Sequence, residues 1–207
     1  MRESKRLLRT QMRKILSQLT DDEIKQQSAQ IYNQVVHHPR FIDANYISIY
    51  LSTNREVDTV RILEKALELN KVCFVPKYAR ISSQGDEKPR SEMKMYNIIS
   101  MKDFDNMPLT KWNIKEPSDD SLSHRNEPDP QQGLDLVIVP GVAFTKTGLR
   151  LGHGMGYYDR FLNDWACQHP TRRPFTMGLA LKQQVLHQVP CSDTDYILDQ
   201  IVTCDES

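Results

Sequence analysis

The run Leu134-Asp135-Leu136-Val137-Ile138-Val139 is nearly all apolar. It lacks the alternation of a half-solvated strand and suits one buried on both faces. Such a strand needs cover on both sides, which restricts the chain to a layered architecture. Other short β-rich runs lie at Tyr46–Leu51, Val72–Val75 (closed by Pro76), Met93–Ile99, Phe175–Leu181 and Tyr196–Thr203. Helical patterns fall between them. One, capped by Asp58, carries Val60, Leu63 and Leu67 and stops near Asn70. Another carries Tyr158, Phe161, Leu162 and Trp165. The polar stretches 79–92 and 113–132 read as loops, the second rich in Pro, Asp and Ser. The alternation predicts an α/β fold, a three-layer α/β/α Rossmann-like domain with a mainly parallel sheet.

A length of 207 residues fits one domain with a full core. Basic and acidic residues balance at 27 each, so no global field favours nucleic acid. Cys73, Cys167, Cys191 and Cys204 form no CxxC pair, which suits a reduced intracellular protein. No apolar run reaches the length of a membrane span, and no secretory signal is visible. The first nineteen residues set Arg2, Lys5, Arg6, Arg9, Arg13 and Lys14 against Glu3, with Leu8, Met12, Ile15 and Leu19 on one helical face. That pattern is shared by mitochondrial presequences and by ordinary first helices. The second reading is preferred, because Thr20-Asp-Asp-Glu23 forms a capping box that opens the next helix without a linker. That helix runs to Val36 on the stripe Ile24, Ile31, Val35.

Chemistry concentrates in Arg150-Leu-Gly-His-Gly-Met-Gly-Tyr-Tyr-Asp159. Glycines at 152, 154 and 156 let a ligand approach the main chain, and the helix behind them offers free N–H groups to an anion. The loop is not a P-loop, since no Gly-Lys-Ser/Thr follows, and its third glycine comes one residue early for the dinucleotide fingerprint. It reads either as an anion cradle or as a tight turn that binds nothing. Arg150 is a candidate phosphate clamp. Asp159 is a candidate magnesium ligand, with a second acid available from Asp193, Asp195 or Asp199. Tyr157 and Tyr158 cannot both face the core. Glu56 follows a strand end, where α/β proteins place ligands. Lys5 and Arg9 share a helical face, and Trp112 stands in a polar stretch. No nucleophile–base pair is visible, so the site reads as one for positioning and charge neutralisation.

Taken together these residues resemble the 5-formyltetrahydrofolate cyclo-ligase family, also called methenyltetrahydrofolate synthetases, and look most like its fungal forms. The resemblance spans nearly the whole chain. It rests on Lys5-Arg-Leu-Leu-Arg9, Tyr50-Leu-Ser with Glu56, Trp112-Asn-Ile, Asp135-Leu-Val-Ile-Val-Pro-Gly-Val-Ala-Phe144, Arg150–Asp159, Gln188-Val-Pro and the aspartate-rich tail. It implies an ATP- and magnesium-dependent closure of 5-formyltetrahydrofolate to 5,10-methenyltetrahydrofolate, with release of ADP and phosphate. It further implies that Lys5 and Arg9 contact ATP phosphates. Arg150, Gly152, His153, Gly154, Met155 and Gly156 would form the phosphoryl cradle, with Arg150 catalytic and Tyr158 along the nucleotide. Asp159 and Asp195 would hold Mg2+. Leu51, Glu56, Trp112 and Tyr157 would line the folate pocket. Many relatives carry a basic residue where His153 stands and a lysine where Met155 stands, so side-chain roles there are the least transferable. The expected partners are small molecules only, with no nucleic acid and no membrane, in a monomeric cytoplasmic enzyme. Two other classes stay open from the residues: a sugar-phosphate enzyme on a related fold, and a non-catalytic folate- or nucleotide-binding protein.

Overall fold

The computed structural model describes residues 1–81, 90–110 and 114–204. Its elements run α1 (Arg2–Ser17), α2 (Asp21–Val36), α3 (Pro39–Asp43), β1 (Tyr46–Ile49), α4 (Val60–Glu68), β2 (Val72–Ile81), β3 (Arg90–Ile98), α5 (Met101–Asn106), β4 (Leu136–Val139), β5 (Ala143–Phe144), β6 (Arg150–Leu151), α6 (Tyr157–Gln168), β7 (Phe175–Ala180) and β8 (Gln200–Thr203).

The main sheet has the order β3-β2-β1-β4-β7-β8. It is parallel except for the β2–β3 pair. β4 sits between β1 and β7, and Leu136, Val137, Ile138 and Val139 are all fully buried. That central place explains why the strand shows no polar alternation. Burying each such side chain stabilises the fold by about 1.5–3 kcal/mol before entropy is counted. From β1 the chain crosses through α4 to β2 on one side, and from β4 through α6 to β7 on the other. The right-handed crossover rule then puts α4 and α6 on opposite faces. Consistently, α2 packs on α4 and β8, while α6 packs on β3. The β1–β4 junction is therefore a topological switch point, with a crevice beyond the strand ends.

The capping box expected at Thr20 is present. Thr20 Oγ1 accepts the Glu23 N–H at 3.2 Å, and Glu23 Oε2 accepts the Thr20 N–H at 2.7 Å. In α1 the buried stripe is Met12 and Leu16 with half-buried Leu8, while Ile15, expected inward, is exposed. Steps of four and three residues put Lys5 and Arg9 on this same inward face. The N-cap of α4 is Thr59, not Asp58, although Asp58 Oδ1 accepts the Val60 N–H at 2.9 Å. α4 ends at a left-handed Asn70, as expected.

Pro76 does not end its strand. β2 runs on to Ile81 and pairs antiparallel with β3 through Pro76↔Met95. The parallel ladder to β1 stops at Phe74, so the missing proline N–H removes no bond on that side. The two ends of the stretch 79–92 read as loop, 79–81 and 90–92, are therefore strand, and the rest of it, 82–89, lies outside the described residues. Of the stretch 113–132 the described residues, 114–132, are largely irregular as expected, with a 3-10 turn at Asp119–His124. Arg125 anchors this segment by a forked pair with Asp103, at 2.5 and 2.9 Å. Of Tyr196–Thr203 only Gln200–Thr203 is strand. Among the described residues no helix is long and apolar enough to cross a membrane.

Thr20→Ala removes one half of the capping box. The variant should unfold at lower urea concentration, with a loss of about 1 kcal/mol in equilibrium denaturation.

Candidate active site at the sheet switch point

Three segments meet beyond the ends of β1 and β4. The first is the loop after β1. Leu51 is buried there, and Glu56 is only 8% exposed. Glu56 Oε2 accepts the Thr53 N–H at 2.8 Å. The second is Pro140–Val142 after β4, held by the buried Gln184, whose Nε2 donates to the Gly141 carbonyl at 2.7 Å. The third is the glycine loop, delivered by the two-stranded β5–β6 arm through Phe144↔Arg150 and Ala143↔Leu151. Gly154 has φ +110° and Gly156, the N-cap of α6, has φ +65°. Both angles disfavour other residues, so the loop's shape depends on glycine there. It turns the main chain into the start of α6, where helix N–H groups and the dipole favour an anion.

Arg150 is buried, 6% exposed, rather than displayed in the cleft as a free clamp. Its Nη1 donates to the Pro140 carbonyl at 3.2 Å and its Nη2 to Asp159 Oδ1 at 2.6 Å. Its Nε is buried with no partner among the described residues. Arg9 lies over the loop: Nε donates to the Gly152 carbonyl at 2.8 Å, and the guanidinium comes within van der Waals contact of Gly154. Lys5 pairs with Asp195, so the expected phosphate contact and the expected metal ligand hold one another. The Tyr196 N–H also donates to Asp159 Oδ1 at 3.2 Å, and the Ser192 N–H to Asp195 Oδ2 at 2.7 Å. Partial burial opposes the charge of Asp195, yet Lys5 and Ser192 outweigh it and hold the carboxyl below its ordinary value.

The two tyrosines divide as expected. Tyr158 is 4% exposed and lies in the core beneath the loop, with the Arg150 guanidinium 5.9 Å from its ring centre. It therefore faces the interior and not an open nucleotide surface. Tyr157 is half-buried against Tyr78, ring centres 4.8 Å apart. Burial, then the Glu56 carboxylate, push the Tyr78 phenol well above its ordinary value, so it stays neutral. His153 meets Glu56, Nε2 to Oε1 at 3.0 Å. Met155 is 49% exposed and projects from the loop. Trp112 lies outside the described residues. Asp199, a candidate second acid, pairs with Arg173 and accepts from Thr176. It is thus engaged at the other end of the sheet.

A cleft of about 190 Å³ joins these segments, lined by Arg9, Arg13, Arg55, Glu56, His153 and Gln184 among others. Sequence reading missed Tyr78, Gln184, Arg13 and Arg55. Tyr78 lies past Pro76, where the sequence pattern closes the strand, and Gln184 carries no motif. Arg13 continues the Lys5–Arg9 spacing by one more turn, a signal that was available.

The donor set suits a hard cation beside phosphate. On Asp159 and Asp195 the hydrogen bonds described above fall on a single oxygen each, leaving the opposite oxygen of both carboxylates. Magnesium is commonly held by one or two carboxylates plus phosphate oxygens. The orphaned Arg150 Nε suits an anion in the cradle.

This arrangement defines a class of α/β proteins that bind their ligands at the switch point beneath a glycine-rich loop. A sequence model of the 5-formyltetrahydrofolate cyclo-ligase family matches residues 1–204. The 5-formyltetrahydrofolate cyclo-ligase of Mus musculus is 34% identical, covering 96% of this chain and 93% of its own. That of Saccharomyces cerevisiae is 32% identical, covering 99% and 97%. The mouse protein matches at least as well as the yeast one, so the likeness is not particular to fungi. The NMR structure of Aquifex aeolicus 5,10-methenyltetrahydrofolate synthetase superposes with a TM-score of 0.70 at 25% identity, covering 96% of this chain and 88% of that one. The chain belongs to the 5-formyltetrahydrofolate cyclo-ligase family.

Lys5→Met should raise the Asp195 pKa toward that of a free carboxylate. Because the folded-state value is lowered, the pair's contribution is complete above about pH 5 and is lost as pH falls below about 4. The stability gap between wild type and variant, about 1 kcal/mol at pH 7, should close on acidification in urea titrations across that range.

Proposed function

We infer that this chain acts as its family does and that the residues gathered at the switch point carry the reaction. The protein is an ATP-dependent ligase that closes 5-formyltetrahydrofolate to 5,10-methenyltetrahydrofolate. The observation that carries the site assignment is the convergence of Arg9, the glycine loop and Glu56 on one cleft.

The chemistry requires activation of a poor electrophile. The γ-phosphoryl group passes to the formyl oxygen and ADP leaves. N10 then attacks the formyl carbon and loses its proton, and phosphate departs with that oxygen as the bridge closes. No protein nucleophile is needed, which fits the absence of a nucleophile–base pair in the sequence pattern. The protein's work is alignment and charge neutralisation. Lys5, Arg9 and the main chain of Gly152–Gly156 take the nucleotide phosphates. Arg150 meets the moving phosphoryl group, which draws its guanidinium away from Asp159. Tyr158 packs under Arg150 and supports it from the core side. Leu51, Glu56, Trp112 and Tyr157 form the folate pocket, Glu56 accepting pterin N–H groups. Asp159 and Asp195 would hold magnesium, which supplies charge neutralisation on the phosphates when bound.

The same reading makes the chain a single-domain monomer of the cytoplasm that meets only small molecules. The basic face of α1 is engaged with the site through Lys5 and Arg9, which supports a structural helix over an import signal. The sugar-phosphate and non-catalytic alternatives are not favoured, since the family match covers both the cradle and the folate segment.

Arg150→Ala should lower turnover by about 10²–10³-fold or more, followed as formation of the methenyl chromophore. A near wild-type rate would overturn the role of Arg150. Arg150→Lys should recover only part of it, since an ammonium lacks the planar fork. Excess chelator should stop the reaction, and added magnesium should restore it. Undiminished activity in chelator would remove the metal from this reading.

A further inference from the structure

The side chain of His153 has no assigned task in the reaction, yet it makes a specific contact. Its Nε2 lies 3.0 Å from Glu56 Oε1 across the switch point. Glu56 Oε2 accepts the Thr53 N–H, and Oε1 meets His153. The two partners differ in freedom. Glu56 is 8% exposed, whereas His153 is 61% exposed by its side chain and is followed by a glycine at φ +110°. The imidazole can swing into water at little cost, but the carboxylate cannot follow it. A buried carboxylate without partners is costly, and His153 supplies one of the two hydrogen-bond partners that Glu56 has.

The contact also ties the glycine loop to the segment after β1. A pterin N–H arriving at Oε1 would share that oxygen's charge with His153 and weaken the existing contact, and the exposed imidazole is the partner free to leave.

We propose that His153 is a positioning residue that couples the two substrates. It latches the glycine loop onto Glu56 in the folate-free enzyme and releases the loop when folate takes Glu56 Oε1. The loop is then free to close on the nucleotide phosphates, so ATP is held tightly only where there is a folate to receive its phosphoryl group. Linkage requires the effect to be mutual: nucleotide tightens folate by the same factor. The proposal rests on the reading of Glu56 as the pterin acceptor.

The test uses the full chain in magnesium buffer, with 5-formyltetrahydrofolate and the β,γ-imido analogue of ATP, which does not transfer its phosphoryl group. Calorimetry measures the Kd of the analogue with and without saturating folate. In wild type, folate should tighten the analogue at least about fivefold. In His153→Ala the ratio should fall to about one. In His153→Gln, whose amide can still donate to Glu56, most of the ratio should return. A purely structural role would move both Kd values together and leave their ratio alone. A wild-type ratio of one, or an unchanged ratio in His153→Ala, overturns the latch while leaving the folate pocket standing. Failure of folate to bind wild type at all overturns the pocket and the latch together.

Discussion

The pair of buried Arg150 and half-buried Asp159 is the joint on which the site depends. Through its guanidinium and the carboxylate it meets, four pieces of chain are tied together: the turn after β4 at Pro140, the β5–β6 arm, the first turn of α6, and the segment at Tyr196. A guanidinium this deep is tolerated because Asp159 meets its charge and the Pro140 carbonyl accepts from its other terminal nitrogen. Removing one member of such a pair leaves an uncompensated charge, at a cost of about 3–5 kcal/mol. The packing is tight as well as polar. A side chain at Gly152 would fall 2.8 Å from Arg150 Nη1, so the glycine loop is moulded around this arginine.

The same pairing logic recurs around the cleft. Lys5 holds Asp195, Arg9 holds the Gly152 carbonyl, and His153 holds Glu56. Lys5, Asp195 and Glu56 thus each have an internal partner, so a ligand that meets them exchanges one partner for another.

Much of the architecture was legible in local pattern. The unbroken apolar run of β4 announced a central strand, and the capping box at Thr20–Glu23 marked the start of α2 to the residue. The division of Tyr157 from Tyr158 followed from helical geometry alone. Errors fell where distant contacts override local preference. Pro76 stays in its strand because the ladder it would break has already ended on that side. Ile15 turns outward because Met12 and Leu16 take the buried face. α3 and α5 carried too few residues to show a period, and the β5–β6 arm is too short to read as strand.

For the site, the sequence by itself determined which groups are available: a glycine loop with the backbone freedom to cradle an anion, two arginines and a lysine, and carboxylates at 56, 159 and 195. It also carried the family likeness that orders them into a reaction. Residue types and spacing suffice for that, because φ preferences and helical periodicity are local properties. Only the tertiary structure decided who meets whom. That Arg150 is buried on Asp159, that Lys5 closes on Asp195 across the whole length of the chain, and that His153 reaches Glu56 are consequences of parallel strands ending side by side at one switch point. Pairing across such distances depends on sheet order and on the balance between desolvation and charge, and neither is written in any local stretch of residues.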